Sequence, residues 1–459
     1  MSDPVEIDAD APFVTFYSFK GGVGRSMALI NVAGIVAGRG FRVLVIDLDL
    51  EAPGLSFLAN HEQFESNPEV PGFIDLIYQA VEVGSDADLF GLSPKDLVGQ
   101  YSRDYPIPPE IRKSDEGSLR IMQAGKVDNA YQTRLTQLNL PELYQQGRGQ
   151  PLIELFKDRI QESKKFDLVL VDSRTGFSDE SGICTRDLAD QVVLISGLNH
   201  QNLEGSATFL RILREVMQEN CRDPVVVFSP IPNGEDDLVD EREGVANESF
   251  SEAWGRPLGF DLRIPYHPRL ALTEEPHIFR RSRGYLYEAY IDLAKAVEKS
   301  IGFSAKAFAS QATKALNANQ FDAALAFLGK ARKLEGQAEI GEFTFSLQKR
   351  ISGDGFAEKA APLLENLPAL LSPSSLETRW LAETLHRERS KHAEQFYTRI
   401  LEDDFENADI LGNYASFLTD VRGDQDEAEA FYKRALEADP NNANHLGNYA
   451  KLLFLSDRK

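Results

Sequence analysis

Cysteine is almost absent from the chain: Cys184 and Cys221 are its two thiols. Two are too few for a disulfide framework or a thiolate metal site. Cys184, in DESGICT, has no histidine in a pairing motif beside it, which argues against a thiol nucleophile. Histidine is scarce as well. The seven present, among them His61, His200, His267 and His392, follow no metal-ligand spacing, and His267 in IPYHPRL reads as a loop residue rather than a base. Long apolar runs are missing, so no segment reads as a bilayer span. The start, MSDPVEIDADAPF, lacks the basic-then-apolar layout of a signal peptide. Positive charge is in deficit: 49 Lys and Arg stand against 72 Asp and Glu, a net charge of −23. That balance disfavours long-range attraction to DNA, RNA or anionic lipid. The expectation is a cytoplasmic protein with no membrane and no nucleic-acid partner.

What is present is ample apolar content, 42% of 459 residues, enough for two or three packed domains. From residue 12 to about 300, short apolar runs alternate with longer helical stretches. The runs are Phe13–Phe19, Phe41–Asp47, Leu119–Ala124, Phe166–Asp172, Gln191–Ser196, Pro224–Pro230 and Asp261–Tyr266. Most are continuously apolar rather than alternating, as strands buried on both faces of a parallel sheet are. Ser26–Gly38, Pro151–Ser163 and Gly205–Glu219 read as crossover helices. The pattern predicts a doubly wound α/β fold with a mostly parallel sheet. Residues 61–117, with PEVPGF and RDYPIPPEI, read as an excursion at the sheet's edge.

Beyond residue 300 the strand signals stop and the chain begins to repeat. AEQFYTRIL at Ala393–Leu401 returns as AEAFYKRAL at Ala428–Leu436, and LGNYASFL at Leu411–Leu418 as LGNYAKLL at Leu446–Leu453. Both pairs are offset by 35 residues, near the period of tetratricopeptide repeats. Asp439-Pro440 marks the turn between helices. Phe303–Gly336 reads as a more degenerate copy. The expected organisation is a flexible N-terminus (1–11), an α/β domain (12–300) and tetratricopeptide-like helical repeats (301–459). The chain stops at Lys459 one helix into a repeat, so the sequence is either a fragment or capped by that helix.

The most informative stretch is FKGGVGRS, between the first apolar run and the first helix. It departs from the strict phosphate-loop pattern, because Phe19 stands at the first glycine position and Arg25 at the lysine position. The physical requirements of an anion cradle are nevertheless met. Gly21, Gly22 and Gly24 let backbone N–H groups turn inward, and the helix that follows adds the positive end of its dipole. Ser26 supplies a hydroxyl where Mg²⁺ is commonly ligated. Arg25 keeps the positive charge as a planar fork rather than a point charge.

KGGVGRS resembles the deviant Walker A loop of ParA/MinD-type P-loop ATPases, in the variant whose second cation is arginine. The resemblance continues through Val43–Ser56, Phe166–Thr185, Ser196–Gly205 and Ile264–Glu275, in the family's order. It implies ATP and Mg²⁺ as cofactors and a homodimer that forms around ATP. By position, Lys20 is the signature lysine that reaches a partner's nucleotide, and Gly21, Gly22, Val23, Gly24, Arg25, Ser26 and Met27 form the cradle. Asp47 would hold a Mg²⁺-bound water, Asp49 would orient the attacking water, and Asp172 would be the Walker B carboxylate. All three fall at or just after strand ends, the edge where open α/β sheets bind ligands. Arg174 either senses the γ-phosphate or pairs with Asp47 or Glu51. Asn199 is either part of a polar switch or a loop residue. Gly176 permits close backbone approach, and Pro230 and Pro232 would pack against the base.

The resemblance implies an ATP-hydrolysing dimerisation switch, and the helical repeats would recruit a protein partner. Two other readings stay open: a scaffold that holds nucleotide without turnover, and a DNA- or membrane-positioning ATPase. By association alone, KGGVGR ATPases joined to repeat tails resemble members of bacterial signalling or conflict systems.

Overall fold

The computed structural model describes residues 10–55, 70–83, 92–216, 222–259, 262–268, 270, 275–279, 284–334, 336–352 and 355–455. His61, Cys221, residues 271–274 of IPYHPRLALTEE and the first nine residues of the expected flexible N-terminus lie outside them. The chain divides into two compact units, with the break between Phe303 and Ser304.

The first unit is organised by β1 (Phe13–Tyr17), β2 (Arg42–Asp47), β3 (Arg103–Tyr105), β4 (Ser118–Met122), β5 (Leu168–Asp172), β6 (Gln191–Ser196), β7 (Val225–Ile231) and β8 (Leu262–Pro265). They form one sheet in the order β3-β4-β2-β5-β1-β6-β7-β8. Every neighbouring pair is parallel except β3 with β4. The antiparallel β3 forms one edge of the sheet and comes from the stretch the sequence marks only as an edge excursion. Three residues followed by proline are too short to show a period.

The continuous apolar runs are explained by burial on both sides. All residues of β1, β5 and β6 are buried. One face, carrying Phe13, Leu44, Val169 and Val171, shares a core with Ile74 and Phe156; these lie in α2 (Phe73–Val83) and α4 (Gly149–Glu162), with α3 (Tyr131–Leu138) between them in sequence. On the same face further along, Tyr17, Leu194 and Phe228 pack with Leu210 and Phe250, from α5 (His200–Val216) and α6 (Asp236–Trp254). Residues of opposite parity, such as Val14, Phe16 and Val45, are also buried, and α1 (Arg25–Gly38) packs against their strands. Beside α1 lies α7 (Tyr285–Ser300). Helices on both faces of a parallel sheet make the unit doubly wound.

The second unit is helical throughout its described elements. Its main helices are α8 (Ala305–Asn317), α9 (Phe321–Lys333), α10 (Gln337–Ile351), α11 (Leu376–Arg387), α12 (Ala393–Leu401), α13 (Ala408–Phe417), α14 (Gln425–Ala438) and α15 (Ala443–Leu455). Each packs against the next in space, and α8 and α10 also meet. Hydrogen bonds link Gln348 to Thr384 at 2.9 Å, separated by 36 residues, and Asn448 to Ser416 at 3.3 Å, separated by 32. The twice-used apolar block behaves differently in its two settings. Leu411 in α13 is 1% exposed, whereas the matching Leu446 in α15 is 46% exposed. Both helices contact α14, which follows α13 and precedes α15.

Candidate functional site

The parallel sheet brings β1, β2 and β5 side by side, so the loops leaving their C-terminal ends converge. Between β1 and α1 the chain turns through Gly22 at φ 80° and Gly24 at φ 81°, left-handed conformations that a Cβ would strain. Gly24 is the N-cap of α1 and offers no side chain, so the first N–H groups of the helix have no cap. A Cβ on Gly21 or Gly22 would meet nothing within 4 Å, because both face open space. That space is a cleft of about 870 Å³, lined on one side by Gly21–Met27 and on the other by Asp49, Glu51 and Arg174.

Beneath the loop, Arg25 turns inward rather than toward the cleft mouth. It is 6% exposed; its Nε donates to Asp172 Oδ1 at 2.5 Å and its Nη2 to Asp49 Oδ2 at 2.8 Å. Burial alone would lower the Arg25 pKa, but Asp172 and Asp49 outweigh it and hold the guanidinium charged. Asp49 is raised by its own burial, against the pull of Arg25. Asp47 is fully buried and raised well above the ordinary carboxylate range, first by desolvation and then by Asp172, its register partner across β2 and β5. The backbone N–H groups of Asp49 and Leu55 each donate to Asp47 at 3.1 Å and oppose that rise. Asp47 thereby fastens the loop that presents Asp49.

The remaining expected residues divide. Lys20, half-exposed, donates to Gln201 of α5. Ser26 sits in the first turn of α1, with its Oγ 3.8 Å from a Cβ built on Gly54. Of the two alternatives for Arg174, pairing is what the structure holds: its Nη2 lies 2.5 Å from Glu51 Oε2. Asn199 accepts from the Asn202 N–H at 3.0 Å at the start of α5. Gly176 has φ 74°, and its carbonyl accepts from the Tyr17 hydroxyl at 3.2 Å. Pro230 and Pro232 are exposed at the end of β7 and do not line the cleft. Lys20, Asp47 and Asp172 also stand outside its lining.

Sequence reasoning did not mark Ser18, Val127, Tyr131 and Gln132, which do line it. Tyr131 donates to the Leu50 carbonyl at 2.8 Å. Its distance along the chain from the glycine loop leaves no local pattern to find.

The donor set suits a magnesium nucleotide. Asp172 Oδ2 is buried with no hydrogen-bond partner among the described residues, and Asp49 and the Ser26 hydroxyl add further hard oxygens. Uncapped N–H groups and a Cβ-free cradle suit phosphate oxygens.

Comparison with known proteins agrees with this chemistry. The family model described as the CobQ/CobB/MinD/ParA nucleotide binding domain matches residues 14–237. This match supports a nucleotide-binding domain of the ParA/MinD type over that stretch, which carries most of the mostly parallel eight-stranded sheet. The chloroplastic Fe-S cluster assembly factor HCF101 of Arabidopsis thaliana is 34% identical over 84 residues, 18% of this chain and 16% of that protein. The chain thus matches about a sixth of that relative's length. Among solved structures, a ParA family ATPase from Chlorobium tepidum TLS aligns at 16% identity and TM-score 0.41, over 62% of this chain and 98% of that one. The Pyrococcus furiosus cell division ATPase MinD aligns at 18% identity and TM-score 0.42, over 63% and 99%.

Proposed function

We propose that the first unit binds ATP with Mg²⁺ in the cleft above Gly21–Met27 and hydrolyses it, and that nucleotide state controls pairing of two copies. The observation that carries this reading is the meeting of Asp172, at the end of β5, and Asp49, in the loop after the adjacent β2, with Arg25 at the floor of a glycine cradle. In this reading Gly21–Met27 hold the phosphates through backbone N–H groups. Ser26, Asp47 and Asp172 hold the Mg²⁺, directly or through water. Bound there, Mg²⁺ would offset charge on the phosphate oxygens. Asp49 orients a water toward the terminal phosphate, and Asp47 keeps Asp49 in register through the loop bond described above. Lys20, on the rim beside Gln201, reaches the nucleotide of a second copy. Arg174 leaves Glu51 to meet the terminal phosphate.

The domain limits of this reading are 12–300 for the ATPase and 301–459 for tetratricopeptide-like repeats. The repeats would recruit a protein partner, a reading supported by the 35-residue offset of two sequence blocks and by bonds such as Gln348–Thr384. Among the described residues no helix is long and apolar enough to cross a membrane.

The test has two arms. Light scattering of the full chain with MgATP should show a mass near twice that of the monomer, and Lys20→Ala should remove it. Phosphate release should be measurable and should disappear in Asp49→Ala. Persistent pairing in the lysine variant would sink the switch. One observation favours a second reading, a nucleotide-bound scaffold: Arg25 already engages both carboxylates on which hydrolysis depends. Binding with no phosphate release would select it. Retention of MgATP-loaded protein on DNA or anionic vesicles at physiological salt would instead select a positioning ATPase.

A further inference from the structure

Arg25 does something no point-charge lysine at its position can do. A guanidinium presents five N–H donors in a rigid plane and can hold two carboxylates at once. Here Nε and Nη2 take one oxygen each from Asp172 and Asp49, at 2.5 and 2.8 Å, with Arg25 6% and Asp172 0% exposed. The charges facing this guanidinium are Asp172 and Asp49, with Asp47 behind Asp172 and Arg174 near Asp49. Two carboxylates therefore share one buried cation, with Asp47 beside them. The arrangement is also incomplete. Arg25 Nη1 and Asp172 Oδ2 are both buried with no hydrogen-bond partner among the described residues. A buried unmade bond on each partner is unfavourable, so a second arrangement that satisfies both has a driving force.

We propose that Arg25 is a resident cation that occupies the carboxylate oxygens needed by Mg²⁺, so that the metal enters this site only when Arg25 is withdrawn toward phosphate. The proposal rests on the reading of the cleft as a magnesium nucleotide site. Its physical logic is exchange of one cation for another. Removing Arg25 without replacement would leave buried carboxylates uncompensated, which is strongly unfavourable. Phosphate oxygens in the glycine cradle offer the guanidinium a new anionic partner, including for the unmet Nη1. The released Asp172 oxygen then has a divalent ion to meet, and Asp49 is freed to orient water. Nucleotide and metal thus bind cooperatively, and metal alone binds poorly.

The experiment titrates Mg²⁺ alone into nucleotide-free full-length protein, read by calorimetry and by thermal unfolding. Wild type should show little heat and little shift in midpoint up to millimolar metal. Arg25→Met should unfold at lower temperature without metal and recover on adding Mg²⁺, with an apparent affinity at least about tenfold tighter than wild type. Asp172→Asn placed on Arg25→Met should remove that gain. Arg25→Lys, which keeps the charge and engages fewer oxygens, should fall between and covers the case in which the methionine variant does not fold. Equal Mg²⁺ response in wild type and in both Arg25 variants would overturn the proposal. Nucleotide binding is measured in parallel, which separates the two ideas. A metal gain in Arg25→Met with no nucleotide binding to any form would keep Arg25 as the cation that excludes the metal but sink the ATPase reading and the exchange toward phosphate. Nucleotide binding with an unaltered metal response would do the reverse.

Discussion

The side chain of Asn31, in the second turn of α1, accepts a hydrogen bond from the backbone N–H of Ile278, 247 residues away, at 2.9 Å. Its amide nitrogen donates to the Met27 carbonyl at 2.7 Å. Asn31 is fully buried, so a single side chain ties the helix behind the glycine loop to the turn at His277–Phe279. Asn31→Leu removes both bonds and strands the buried Ile278 N–H. The expected loss is about 1–3 kcal/mol, seen as an earlier urea transition of the first unit. A transition within about 0.3 kcal/mol of wild type would show the tie to be idle.

Gly205 in α5 governs the position of Phe19. A Cβ at residue 205 would lie 2.0 Å from Phe19 Cδ1, and the Phe19 ring also meets Phe177 at 5.3 Å between centroids. Gly205→Ala must move Phe19, the residue before Lys20. The expected result is a destabilisation of about 1–3 kcal/mol with weaker nucleotide binding. Phe19→Ala on the same background should recover part of both. Unaltered binding in Gly205→Ala would show that the loop tolerates displacement at its first residue.

The Arg174–Glu51 pair, 27% and 56% exposed, should contribute little to stability. A double-mutant cycle with Arg174→Ala and Glu51→Ala should give a coupling of at most about 1 kcal/mol. A defect of Arg174→Ala in phosphate release far above that coupling would then come from contact with nucleotide. Equal losses in stability and in turnover would make the arginine structural.

In the second unit, burial lowers the pKa of His386 below 6.5; Asp420 opposes this and Arg389 reinforces it. Its Nδ1 lies 3.2 Å from the Tyr397 hydroxyl, and its ring meets Phe417 edge-on at 5.6 Å. A depressed histidine pKa means that the unfolded chain binds the proton first. Stability should therefore be full above 6.5 and fall as pH drops through the folded value. Hydrogen exchange in α11–α13 should speed up on acidification across that window in wild type, and the increase should shrink in His386→Gln. An identical pH dependence in the two would assign the effect elsewhere.

Much of the fold is legible in the residues because it depends on patterns local to each segment. Continuous apolar runs such as Phe166–Asp172 are buried on both faces, and α1 begins at Arg25, one residue before the expected start. Helix α5 begins at His200 rather than at the expected Gly205, because Asn199 supplies a capping acceptor. β3 stayed hidden because a three-residue edge strand takes its conformation from β4 rather than from its own composition. In the candidate site, the glycine cradle and the three aspartates are visible as residues at strand ends. Tyr131 and Gln132 are not, since nothing near them in sequence refers to the cleft.

The chain by itself determined where glycine must stand, which runs would be buried and that the stretch after residue 300 is helical, because these follow from backbone freedom and apolar spacing. Only the tertiary structure decided what Arg25 does. Its partners sit 24 and 147 residues away and meet it through the order β2-β5-β1, and a charge's role depends on its neighbours in space.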